Sequence, residues 1–314
     1  MTVDPETLPS SSPQDDGELN TPSLEPLPYF IPAETFPCST SSEPPVPPAP
    51  RDVPNIGHSI LLFIITAVFW LLAEMVCLGI ATALTPGHER VHAMALANDP
   101  RLLVASEAIG YALAAGFAAL IFPIWWHRRF SQGIHWNWPT ARRRAILLVA
   151  LGLVVGFSMT LFGSFLPMPK DPPIVKDIMS TPAGAWVMFL FAISGAPLFE
   201  EFVFRGFLLP SLINLFKWMG RRDVLSAATV RAIGVPLSVV LTTIPFALMH
   251  SPQLSGAWGP LLLIGMVSLV LCAVRLAFDS LAASTIVHAA YNFTLFAGIM
   301  VSTGGFRHLD KLAG

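Results

Sequence analysis

The chain has 314 residues, 54% of them hydrophobic and 12% charged, with a mean hydropathy of +0.63. A domain that folds in water carries about 25% charged residues, so this composition excludes a cytosolic enzyme, a secreted disulfide scaffold and a nucleic-acid binder. The net charge of −2 averages two unlike regions: residues 1–50 hold eight acidic groups, no Lys or Arg and 13 of the 29 prolines, whereas the rest holds 18 basic against 12 acidic groups.

The first segment, residues 1–55, is rich in Pro, Ser and Glu. It is expected to be a disordered tail, because it cannot bury enough apolar surface to offset the entropy of ordering. It also lacks the basic start and apolar run of a cleaved signal peptide. The remainder, 56–314, reads as an all-α transmembrane helical domain. Apolar runs follow one another at about 58–84, 102–126, 145–167, 183–216, 235–250, 260–278 and 280–303. Each suffices to cross a hydrocarbon layer of about 30 Å, and Trp125, Trp126, Trp136 and Trp138 mark edges in the manner of interfacial aromatics. With the N-terminus inside, the alternating loops collect eleven Lys and Arg on one side and six on the other. That bias predicts a multi-pass protein of the cell membrane with a cytoplasmic N-terminus. The fourth run is too long for one upright pass, and Ser194-Gly195-Ala196-Pro197 supplies a break. One kinked pass gives seven spans; two full passes would give eight and move the basic 217–231 loop outside. Seven is the reading adopted.

A charge within the bilayer costs a few kcal/mol or more, so each one there asks for a functional reason. The apolar runs contain Glu74, Glu107, Glu200, Glu201, Arg205, His250, Arg275 and His288. Glu201 and Arg205 lie four apart on one helical face, acid before base, the favourable order for an ion pair. Glu200 is rotated about 100° away, as a general base freed from that pair would be. Alone, this motif reads equally well as an ion pair bracing the kink. Phe246 and His250 share a face of the fifth run, and His288 and Asn292 share a face of the seventh. A carboxylate, two imidazoles and an amide on three helices can move protons and stabilise an oxyanion. This is equipment for hydrolysing an amide with an activated water.

These residues carry a resemblance. Glu200-Glu201-x-x-x-Arg205, Phe246-x-x-x-His250 and His288-x-x-x-Asn292 are similar to the EExxxR, FxxxH and HxxxN motifs of the CPBP intramembrane proteases. That family includes the type II CAAX prenyl endopeptidases and the bacteriocin-processing or abortive-infection proteins. The resemblance covers about 180–303, the protease-like core, with the stretch Phe278–His288 leading into the third motif. It implies an intramembrane endopeptidase in which Glu200 and His250 activate water, His288 and Asn292 form the oxyanion hole, and Glu201 with Arg205 supports Glu200. Its implied partners are the lipid bilayer and a membrane-associated peptide or protein substrate, with no nucleic acid and no cofactor.

Three other features compete. His88-Glu89-Arg90-Val91-His92 matches HExxH, a zinc-protease signature when helical, but it follows Pro86-Gly87 in a short, charged connection. A zinc-dependent variant using Glu200 and the histidines is the minor alternative. A non-catalytic transporter or immunity protein could also use a polar intramembrane cluster, although a transporter favours paired broken helices and only one break is present. Glu74 and Glu107 are expected to line a polar interior or pair with another helix, Arg275 to snorkel from a span end, and Cys38, Cys77 and Cys272 to be inert.

Overall fold

A computed structural model describes residues 52–84, 96, 99–169 and 181–309. Residues 1–51 of the tail, Cys38 among them, and the HExxH segment lie outside the described residues. All regular elements among the described residues are helical. Seven helices are long and apolar enough to cross a membrane. We number them as spans 1 to 7: Ile56–Leu84, Arg101–Trp126, Ala145–Gly163, Pro182–Arg221, Ala227–Met249, Trp258–Ala277 and Leu281–Ser302. Large apolar side chains cover their outer surfaces, with Ile146 89% exposed and Leu84 and Val301 77% exposed. Water would not tolerate that coat, whereas lipid favours it.

Span 4 is the axis of the bundle. Half of its most apolar window is buried, against 11% in span 1. The span begins with Pro182–Ala192, where the Thr181 hydroxyl caps the Gly184 amide. Helical geometry then lapses at Ile193–Ser194 and resumes at Gly195. Pro197 contributes no N–H, so carbonyls at the end of the first piece need other donors. The Ser194 hydroxyl donates to the Leu190 carbonyl at 2.5 Å, and the Asn292 amide of span 7 donates to the Ala192 carbonyl at 2.7 Å. After Gly195–Glu201 the helix widens into a π-helix at Phe202–Leu208 before returning to α geometry over Leu209–Arg221.

Contacts at its two ends show how span 4 crosses. Near its end, Asn214 donates to the Pro54 carbonyl and Arg221 to Asp52, both at the start of span 1. At its beginning, Trp186 and Phe189 pack on Phe306, which follows span 7. The start of span 7 lies at the other end, where the Leu281 amide donates to the His135 carbonyl and the Ser280 hydroxyl to that of Asn137. Span 4 therefore crosses once. Two boundaries differ from the sequence expectation. The basic 217–231 region is mostly helical, because the helices of spans 4 and 5 continue beyond their apolar runs. Residues 52–55, given to the tail by composition, bond to the bundle through Asp52, Pro54 and Asn55.

Span 7 carries two of the candidate residues and is held by close helix packing. A carbon added at Gly152 of span 3 would sit 2.5 Å from both Ala290 Cβ and the Val287 carbonyl oxygen. One added at Gly156 would sit 2.5 Å from Thr294 Cβ. The Gly152-x-x-x-Gly156 stripe thus lets two backbones approach as small-residue interfaces do in lipid. Gly152→Leu should force these helices apart at a cost of about 1–3 kcal/mol, read as a lower melting temperature in detergent. Reporters fused after Arg144 and after Arg231 should report the same side of the membrane; opposite sides would mean an additional pass within 182–221.

Candidate active site

The deepest part of the bundle holds an ion pair. Arg205 and Glu201 are both 0% exposed and meet at 3.0 Å. A buried guanidinium costs several kcal/mol unless its donors are used and its charge is balanced. Arg205 Nη2 donates to the Ser268 hydroxyl at 2.7 Å and to the Ser268 carbonyl at 3.1 Å. Its Cζ lies 4.3 Å from the centre of the Phe246 ring, within cation–π range. Ser268 in turn donates to Thr243. Spans 4, 5 and 6 thus meet at one guanidinium.

His288 extends this network towards Glu200. Its Nδ1 lies 3.1 Å from Glu201 Oε1, which fixes that nitrogen as the donor to an ionised carboxylate. Its Nε2 lies 3.6 Å from Glu200 Oε2. On the opposite flank, His250 Nε2 lies 3.9 Å from Glu200 Oε1. His250 Nδ1 donates to the Phe246 carbonyl at 2.9 Å, since a carbonyl can only accept, and in the neutral ring this leaves Nε2 as an acceptor. One carboxylate therefore sits between two imidazoles, each oriented through its other nitrogen. Glu200, His250 and His288 line a cavity of about 180 Å³ with Glu107 and Asn292. That volume holds a few waters and a reacting group, and is smaller than the roughly 300–1,000 Å³ of whole-ligand pockets.

All six sequence-selected residues meet in this region, with differing contacts. Glu200, His250 and His288 face one another, whereas Glu201 and Arg205 form the layer behind His288. Asn292 lines the cavity and spends one amide N–H on the break in span 4. Arg275 departs from expectation. It is 4% exposed and does not snorkel; its Nε donates to the Arg205 carbonyl and its Nη1 to Asp279. The π-helix and the proline after it explain this: the Leu209 N–H turns to the Phe204 carbonyl, and Pro210, five residues after Arg205, has no N–H to offer, so the Arg205 carbonyl is open to an outside donor. Glu74 is half-buried and makes no ion pair among the described residues.

Sequence reasoning expected Glu107 to line a polar interior or pair with another helix but did not tie it to this cavity, and it gave Ser268 no role. Glu107 enters the cavity wall from span 2 and accepts a 2.6 Å hydrogen bond from Tyr111, whose ring stacks on Phe199 at 3.9 Å. Its intramembrane carboxylate was a visible signal. Ser268 had none, being one small polar residue in a long apolar span. Phe246 was placed on the His250 face, but its contact with Arg205 joins helices no local spacing relates.

Comparison with known proteins gives one match. Residues 182–294 match the family model described as type II CAAX prenyl endopeptidase Rce1-like. This part of the chain is thus similar to a family of CAAX-type intramembrane proteases, the group that the three motifs resemble. No curated protein and no solved structure matches the chain.

The ion-pair network sets a stability test. Glu201→Gln removes the only carboxylate touching Arg205 among the described residues and should cost about 3–5 kcal/mol. Ser268→Ala removes one hydrogen bond to a charge and should cost about 1.5–3 kcal/mol. Thermal unfolding in detergent should rank the two in that order; equal, negligible shifts would show that the pair is not a structural anchor.

Proposed function

We propose that the chain is an intramembrane endopeptidase that hydrolyses a peptide bond with a water activated by Glu200 and His250. The supporting observation is the placement of Glu200 between two imidazoles inside an apolar bundle. Gaps of 3.6 and 3.9 Å are too long for direct hydrogen bonds and leave the Glu200 oxygens open to a water in the adjoining cavity. Glu200 or His250 takes a proton as the water oxygen bonds to the scissile carbonyl carbon. The resulting oxyanion accepts hydrogen bonds from the second N–H of Asn292 and from Nε2–H of His288, which in this step carries a proton on both nitrogens because its Nδ1–H stays on Glu201. As the C–N bond breaks, the proton held by the Glu200–His250 pair passes to the leaving amine. Glu201 and Arg205 act through His288, holding its ring and charge balance.

The substrate in this reading is a membrane-associated peptide or protein with an apolar portion. A second cavity, of about 660 Å³, lies on the Phe199 and Phe202 face of the segment bearing Glu200. Its lining is almost wholly apolar, and Phe191 borders both cavities. Such a groove could receive a hydrocarbon chain while the peptide reaches Glu200. The N-terminus and the basic end of the bundle face the cytoplasm of the cell membrane in the same proposal, following the positive-inside bias. The proposed chemistry invokes no cofactor.

Purified protein and tagged, membrane-anchored peptides test the proposal. Glu200→Gln should abolish cleavage while yielding as much folded protein as wild type. Asn292→Ala should lower the rate by about 10²–10³ through the lost oxyanion donor. His88→Ala with His92→Ala should leave the rate near wild type, and chelators should not inactivate. Full activity of Glu200→Gln would end this reading; inactivation by chelators with rescue by zinc would replace it with metal-assisted hydrolysis.

A further inference from the structure

A third cavity, of about 340 Å³, lies at the opposite end of span 4 from Trp186. Four separate stretches of chain form it: the start of span 1, the connection after span 2, the last turns of span 4 and the turn between spans 6 and 7. Its polar lining includes Arg128, His135, Asn214, Lys217, Arg275 and Asp279.

The ionic contacts around it leave positive charge over. Asp279 is bound by Arg275 at 3.1 Å and by His135 at 2.9 Å. Partial burial alone would raise its carboxyl, but the His135 hydrogen bond and the charges of His135 and Arg275 outweigh it and hold it below its ordinary value. It therefore stays ionised at neutral pH and remains committed to those partners. Asp52, also in the wall, is bound by Arg221 at 2.6 Å. Arg128 and Lys217 have no acidic partner among the described residues. Arg275 uses Nε and Nη1 on the Arg205 carbonyl and Asp279, and its Nη2 has no protein acceptor among the described residues. A recess with three cations, two without a counterion and the third buried with a spare donor, lacks an anion.

We propose that this recess binds a phosphate-bearing anion. A phosphate group offers two non-bridging oxygens and a charge of −1 as a lipid diester, or more of both as a free phosphate, to donors arriving from different directions. Basic pockets between membrane helices at the basic end of a bundle suit acidic lipid headgroups, and this pocket sits there with apolar outer faces on either side. A free phosphate compound offers the same chemistry, and experiment separates the two sources. The inference is independent of whether the Glu200 cavity hydrolyses peptides.

The full chain in nanodiscs of phosphatidylcholine, with and without phosphatidylglycerol, provides the test. Native mass spectrometry should show phosphatidylglycerol retained in preference to phosphatidylcholine if the source is lipid. Inorganic phosphate should raise the melting temperature in neutral detergent, at constant ionic strength, if the source is a free anion. Either preference should fall by about fivefold for each basic residue removed in Arg128→Gln and Lys217→Gln. Lys217 is exposed and unpaired among the described residues, so its single variant should fold even if Arg128→Gln does not. Neither lipid preference nor phosphate protection in the wild-type chain would overturn the proposal, as would a preference unchanged in the Lys217 variant.

Discussion

The arrangement depends on one buried guanidinium. Arg205 has no exposure, and an ion so placed has to be neutralised and hydrogen-bonded by whatever surrounds it. Glu201 one turn away balances its charge, and Ser268 from span 6 and the Phe246 ring from span 5 take up most of the rest, leaving Arg205 Nε without a hydrogen-bond partner among the described residues. In apolar surroundings helices gain little from burying more apolar surface, so directional polar contacts of this kind help to select one register. The pair also reaches span 7, because Glu201 receives His288 Nδ1.

Two departures from regular helix turn this scaffold into a cavity. The break at Ile193–Ser194 ends one helical piece just before Glu200, and Asn292 holds that break through the Ala192 carbonyl. The π-helix at Phe202–Leu208 releases the Arg205 carbonyl to Arg275. Both carry a backbone cost that a polar partner offsets; the break precedes the EExxxR motif and the π-helix runs through its second half. Glu200 emerges on a face where two imidazoles approach without pairing tightly. The proposed water chemistry needs that looseness, since a carboxylate locked into a short ion pair would be a poor base.

Much of this was legible in the residues. Long apolar runs and basic loops gave the seven spans, because hydropathy reports length and composition directly. The i,i+4 geometry gave the Glu201–Arg205 pair, because both partners lie on one helix. Long-range facts were hidden. Asn292 reads as an oxyanion donor by motif, yet its one described bond is to a carbonyl 100 residues earlier. Arg275 read as a snorkelling side chain because it lies near a span end. It is instead held inside by the Arg205 carbonyl, which the π-helix register and Pro210 together leave without a backbone donor. The 180 Å³ size of the cavity and the part of Glu107 in its wall also required the packed bundle, since no spacing relates span 2 to spans 4, 5 and 7.

In the proposed reaction a water molecule, activated at Glu200, attacks the peptide bond directly. Single-turnover cleavage of a membrane-anchored peptide by the purified chain in ¹⁸O-labelled water tests it most directly. Direct attack predicts one solvent oxygen in the newly formed product carboxylate and no label in the protein. A trapped acyl-enzyme at Glu200 or any other side chain, or label appearing in the Glu200 carboxylate, would contradict the account.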